Sequence, residues 1–231
     1  MTRNKKAVLG FLTSMLLLSS NLPMWGADKS KDEETIRNAT TVLEAMVSSK
    51  DIPPSVLAKA DCIMILPSVK KFAVGIGGTG GRGPMTCRTG SNFQGKWSPP
   101  AMYSVGGASA GLQIGGTARD YVLAIMSRGA VAKVLSGKVR VGTDVTAAAG
   151  PGASASANAG ADILTYSRTS GLFAGVSLSG VTLSPDSDAN KRLYDKSVSA
   201  DDIVRQGTVT ATPAGASLAS ELDSKGPKHQ E

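Results

Sequence analysis

Apolar residues at Ile36, Ala39, Val42, Leu43, Met46 and Val47 repeat every three or four positions, and Ser30 and Glu33 ahead of them have capping-box spacing. This pattern predicts one amphipathic helix. Its polar face carries Glu33, Glu34 and Glu44 in place of a basic band, so the apolar stripe reads as core-facing and not as lying on a membrane. Pro53 and Pro54 end the connection, and Ser55 to Ala60 can add a short helical turn.

Beyond residue 61 the pattern changes to short apolar runs rich in Ile and Val. Cys62 to Leu66 and Phe72 to Ile76 read as strands separated by a turn at Pro67 and Ser68. Further strands are expected at Met102 to Val105, Ser109 to Gly115, Tyr121 to Met126, Lys138 to Thr146, Ile163 to Ser167 and Leu172 to Leu183. Glycine punctuates them, as expected where strands bend or bulge. Ser127 to Leu135 reads as a helix with Ser127 as N-cap, Lys133 near its end and Gly137 closing it. Asp188 to Tyr194 and Asp201 to Gln206 read as two short helices. Strands outnumber helices without alternating with them, which argues against a doubly wound parallel sheet.

Composition at the two ends sets the expected limits of the domain. Arg3, Lys5 and Lys6 precede an apolar run from Ala7 to Leu18, followed by Pro23, Gly26 and Ala27, the layout of a secretory signal. Residues 1–27 are therefore expected to be removed near Ala27, although Trp25 occupies a position that favours a small residue. The run is shorter than the roughly 20 apolar residues of a spanning helix. The product is expected to be exported, periplasmic or secreted, and soluble or peripheral to a membrane. Residues 28–207 form the expected single domain, and residues 208–231, rich in Thr, Ala, Ser, Pro and Lys, are expected to be a disordered tail.

Charge narrows the choice of partner. The chain has a formal net charge of +7, and residues 62–140 alone carry ten Lys or Arg against the single acid Asp120. A cationic field concentrated in one third of a domain favours an anionic partner. Cys62 and Cys87 are the only cysteines, and in an oxidising compartment one disulfide is the simplest use of them, with two buried free thiols as the alternative. No metal or cofactor is expected, because a zinc site needs four ligands and the only histidine, His229, sits in a polar tail.

Two motifs suggest chemistry, and their context opposes both. Gly75, Gly77 and Gly80 satisfy G-x-G-x-x-G, yet Pro84 to Cys87 do not begin a helix and no acid follows at the distance of a ribose contact. Gly107 to Gly111 spell G-x-S-x-G around Ser109, with Asp144 or Asp162 and His229 in hydrolase order. The residues after Ser109 keep strand texture, however, and His229 has no core to hold it. The chain is expected not to be an enzyme. Nucleic acid is disfavoured as well, because four Phe, four Tyr and two Trp are too few for stacking and are not interleaved with the bases.

Six stretches, in order over roughly residues 35–196, resemble the SYLF family, the lipid-binding domain also described as a yeast actin-binding domain. They are Cys62-Ile-Met-Ile-Leu-Pro-Ser-Val-Lys-Lys71, Trp97-Ser-Pro-Pro-Ala101, Gly111-Leu-Gln-Ile-Gly115, Leu135-Ser-Gly-Lys138, Ile163-Leu-Thr-Tyr-Ser-Arg168 and Gly171-Leu-Phe-Ala-Gly-Val-Ser-Leu-Ser-Gly180. The resemblance implies an α+β domain that binds phosphatidylinositol-type or other acidic phospholipids without catalysis. The expected fold is an N-terminal helix packed on a strongly curved, mainly antiparallel Gly-rich sheet or partly closed barrel, with short C-terminal helices. Gly150-Pro-Gly-Ala-Ser-Ala-Ser-Ala157 departs from the family pattern, lacking an Arg and being shorter, so contacts made there by relatives do not carry over. Actin is not expected as a partner in an exported setting.

These readings converge on a testable surface. Lys70, Lys71, Arg82, Arg88 and Lys96 are expected to form one basic face toward an anionic phospholipid membrane, with Trp97 at its edge as an interfacial anchor or, alternatively, as a core plug. The competing expectation is an envelope structural protein that binds a protein partner or a second copy through strand edges.

Overall fold

A computed structural model describes residues 24–74, 76–110, 115–149, 160–169, 172–173, 178 and 180–226. The chain opens with a long helix, α1 (Met24–Ser48), and a short one, α2 (Pro54–Lys59). Four long strands follow: β1 (Cys62–Val74), β2 (Ile76–Cys87), β3 (Ala101–Ala110) and β4 (Gly115–Ile125). After α3 (Arg128–Leu135) come β5 (Val139–Arg140), β6 (Ala147–Ala149), β7 (Ile163–Thr169), β8 (Leu172–Phe173) and β9 (Thr182–Pro185). Three helices close the described part: α4 (Ser187–Tyr194), α5 (Ala200–Val204) and α6 (Pro213–Lys225).

The strands form one curled half-barrel sheet in the order β5-β9-β3-β2-β1-β4-β7-β6, with β8 beside β7. Pairing is antiparallel except between β6 and β7. Both faces of the sheet are covered. On the concave side Cys62, Met64, Leu66, Leu123 and Ile125 join residues of α3 and α5 in an inner core. On the convex side Ile63, Ile65, Val122 and Ala124 pack against α1, α2, α4 and α6 in an outer core. Consecutive apolar residues in β1 therefore alternate between two cores, which removes the apolar/polar alternation of a half-exposed strand. The α+β architecture matches the expectation, and so does the helical stripe: Ile36, Ala39, Leu43 and Met46 are all buried.

Several local expectations are corrected. Ser30 lies inside α1 and not at its N-cap, since the helix already begins at Met24. Pro67 and Ser68 do not separate two strands. They form a bulge within β1, where register with β4 shifts between Leu66 and Val69. Ser68 adopts φ +52°, and its N–H donates to Asp120 Oδ1 at 2.8 Å. The expected strand over 138–146 is reduced to β5, and Leu172 to Leu183 is strand only at β8 and β9 among the described residues.

The tail differs most from its expectation. Thr212 caps α6 by accepting from Gly215 N–H, Pro213 occupies the first turn, and Leu218 and Leu222 are fully buried against α1 and α2. Disorder from residue 208 is thus overturned, because leucines four apart supply the burial that the small and polar residues around them do not. Residues 1–23, most of the expected signal segment, lie outside the described part, as do 227–231 with His229. No described helix is long and apolar enough to cross a membrane.

Candidate functional site

The bulge in β1 determines which way the distal hairpin faces. One extra residue reverses the alternation, so Val69 joins the inner core and Lys70 and Phe72 turn to the convex face, with Lys71 on the concave one. Past Val69 the strand leaves both cores, and Lys70, Lys71 and Phe72 are exposed. Phe72 is 60 % exposed and is the one large hydrophobic side chain so exposed among the described residues. Its ring lies across the next strand: a Cβ added at Gly78 would meet Phe72 Cζ at 2.9 Å. Glycine at 78 therefore lets the aromatic ring lie low over the hairpin.

The expected single basic face is not formed. Arg82, on the convex side of β2, donates to the carboxylate of fully buried Asp32 on α1 and lies 3.2 Å from Asp186 ahead of α4. Arg88 and Trp97 sit at the opposite end of the sheet from the hairpin tip, joined by a β-bridge. The Arg88 guanidinium stacks 4.5 Å from the centroid of the Trp97 ring, and both residues are buried. Burial pushes the Arg88 guanidinium below its ordinary value, and Asp223 raises it in part. Trp97 belongs to the outer core, so it is a plug and not an interfacial anchor. Lys96 is exposed beside a cleft of ≈ 490 Å³ that Arg88, Gln94 and Asp223 also line.

Strand length keeps these groups apart. Cys62 faces Cys87 at one end of the β1–β2 pair and Lys70 faces Gly80 toward the other. At about 3.3 Å per residue this places Lys70 roughly 25 Å from the Arg88 end. The site residues fall into three sets: Lys70 and Lys71 at the hairpin tip, Arg82 in a buried ion-pair cluster, and Arg88, Lys96 and Trp97 at the far end. Phe72 is the functional candidate that the basic-face expectation left out. Its signal was present in the chain, as a lone aromatic directly after two lysines in a glycine-rich hairpin.

Cys62 and Cys87 form a disulfide across directly opposed positions of β1 and β2, with a Cα–Cα distance of 4.0 Å. Ser98 holds the neighbouring loop by accepting from Cys87 N–H at 3.1 Å, while the Thr86 hydroxyl donates to Ser98 O at 2.8 Å. The two enzyme-like motifs are not built as sites. Ser109 lies in β3 with its backbone opposite Gly77 of β2, where a nucleophile elbow needs a sharp strand-to-helix turn. Gly77 and Gly80 lie within β2 and not in a loop that opens a helix. Gly75, Gly111 and His229 are outside the described residues.

Comparison with known proteins follows the same outline. Residues 106–225 match the model of the Ysc84 family, described as "Las17-binding protein actin regulator". An SH3 domain-containing protein of Schizosaccharomyces pombe is 36% identical over 182 residues, which cover 75% of this chain and 41% of that protein. SH3 domain-containing YSC84-like protein 1 of Bos taurus is 30% identical over 210 residues, covering 88% of this chain and 60% of the relative. LAS seventeen-binding protein 3 of Saccharomyces cerevisiae is 32% identical over 182 residues, covering 75% and 39%. The chain thus spans less than two thirds of each of these relatives. With the family model matched over more than half of the chain, this protein belongs to the Ysc84, or SYLF domain, family.

Proposed function

We propose that this protein binds anionic phospholipid surfaces without catalysing a reaction, and that it does so through the β1–β2 hairpin tip. The observation that carries the reading is the exposed Phe72 ring with exposed Lys70 on the same face of β1 and exposed Lys71 on the other. An aromatic ring at a strand end that also carries two ammonium groups suits the boundary between headgroups and acyl chains. Lysines near an acidic membrane contribute about 1 kcal/mol each. Burying a Phe side chain adds about 2 kcal/mol. A total of about 4 kcal/mol corresponds to millimolar affinity, so the tip alone gives a weak, salt-sensitive contact. The Cys62–Cys87 disulfide supports an exported, oxidising setting for that membrane.

Co-sedimentation with phosphatidylserine vesicles at several salt concentrations tests the reading. Wild type is expected to pellet and to release as salt rises, and a Phe72→Ser/Lys70→Glu variant to stay in the supernatant. Equal pelleting of the two would overturn the assignment.

A protein partner is the second reading, favoured by relatives named for binding Las17. Wild-type protein that self-associates by light scattering irrespective of salt and shows no vesicle binding would move the weight to that reading.

A further inference from the structure

On the concave face of the same sheet end, Arg119 of β4 is paired in register with Val69 of the inner core, and Tyr121, two residues on, belongs to that core. On the other side Asp120 pairs with Arg168 and Tyr121 with Ser167, so the next antiparallel step sets Thr169 opposite Arg119. Lys71, also on the concave face, stands opposite Thr117 one step further out. These positions lie on one face of three adjacent strands.

Their hydrogen bonding is incomplete. Arg119 Nη1 and Thr169 Oγ1 are both buried and have no hydrogen-bond partner. The nearest acid in sequence, Asp120, faces the convex side and accepts from Ser68 N–H. Burial pushes the Tyr121 hydroxyl up, and Arg119 pulls it back, consistent with a guanidinium close to the phenol. A buried charged donor left unpaired is costly, and such an atom in a native fold calls for a partner that completes it. A planar guanidinium beside a hydroxyl and a rim ammonium matches the oxygens of a phosphate group.

We infer that Arg119 and Thr169, with Lys71 at the rim, form a receptor for a phosphate-type oxyanion, supplied by a phospholipid headgroup or by free phosphate. The inference rests on the membrane reading only for the source of that phosphate. Lys70 and Phe72 face the bilayer from the convex side of the hairpin while Lys71 and Arg119 take the phosphate on the concave side, so one sheet end addresses both the membrane surface and its headgroups.

Two arms separate the inference from the membrane reading. In the first, inorganic phosphate is titrated into the full chain and followed by NMR. Saturable shifts are expected in wild type, with affinity falling at least about tenfold in Arg119→Gln and falling less in the uncharged swap Thr169→Val. In the second, vesicles bearing phosphatidate and vesicles bearing phosphatidylserine are matched in total charge. Wild type is expected to favour phosphatidate, and Arg119→Gln to lose that preference while keeping its binding to phosphatidylserine. Folded Arg119→Gln and Thr169→Val variants with unchanged phosphate affinity and unchanged preference would overturn the receptor. Phosphate binding that depends on Arg119 without any vesicle binding would uphold the receptor and remove the membrane reading. Vesicle binding with neither phosphate response nor preference would do the reverse.

Discussion

Arg192 Nε on α4 donates to Asp32 Oδ2 on α1 at 2.8 Å, joining positions 160 residues apart. Arg82 of β2 donates to the other oxygen of the same carboxylate, so one buried acid ties two helices to the sheet. The hydrogen bond to Asp32 is also the main reason the Arg192 guanidinium is held above its ordinary value. Arg82 is consumed by this cluster, which is why a base that looks available in sequence is not part of a membrane face. Replacing Asp32 with Ala leaves two guanidinium groups facing an empty, partly buried site. A loss of about 3 kcal/mol is expected in urea unfolding, and Asp32→Asn, which keeps some of the hydrogen bonds, is expected to lose less.

Cys62 and Cys87 are both fully buried, so a reductant reaches them only when the strands part. The bond closes a sequence separation of 25 residues, for which the loop-entropy relation gives about 3.5 kcal/mol. Native protein is expected to resist dithiothreitol for as long as it stays folded. A Cys62→Ala/Cys87→Ala variant is expected to unfold at lower urea, by a shift that corresponds to that figure.

Leu218 and Leu222 of α6 fill the outer core beside α1. Leu218→Ala is expected to cost about 2 to 5 kcal/mol, and truncation after Thr212 is expected to cost more. Calorimetric melting checks both, and a truncated chain that melts like the full one would show that α6 adds nothing to the core.

Asp162 accepts from the Ser127 hydroxyl at 2.6 Å and from Thr146 through its N–H and its hydroxyl, at 3.1 and 2.9 Å. These bonds, led by Ser127, hold its carboxyl below the usual value. Since the folded value is depressed, the stabilisation is present above the unfolded value near pH 4 and is lost as pH falls through the folded one. Urea midpoints measured from neutral to acid pH should therefore drop on the acid side, and Asp162→Asn should flatten that drop while lowering the neutral-pH midpoint.

Elements governed by local rules were legible in the chain. The stripe of α1 and the Ser127 cap of α3, which accepts from Ala130 N–H at 3.1 Å, stand where spacing and residue type placed them. Strand limits were harder to read because Cys62 to Leu66 is apolar throughout and feeds two cores, so alternation could not report which face was buried. The one-residue shift at Pro67 and Ser68 was read as a turn, and only the partner strand reveals that β1 continues through it. Gly83 illustrates the same limit: a Cβ there would fall 1.9 Å from Ile65 O, a close approach visible only once β1 and β2 are paired. For the site, charge density along the chain points to Lys70 and Lys71, which the structure leaves exposed. It could not tell them from Arg82, which pairs with buried Asp32, or from Arg88, which is buried against Trp97.

In the proposed reading the hairpin tip, and not the Arg88 end of the sheet, meets the membrane. Its most direct test is vesicle co-sedimentation of Phe72→Ser/Lys70→Glu beside Lys96→Glu, two exposed-surface variants at opposite ends of the molecule. The tip variant is expected to lose pelleting on phosphatidylserine vesicles while Lys96→Glu pellets like wild type. Loss in Lys96→Glu with full retention in the tip variant would contradict it.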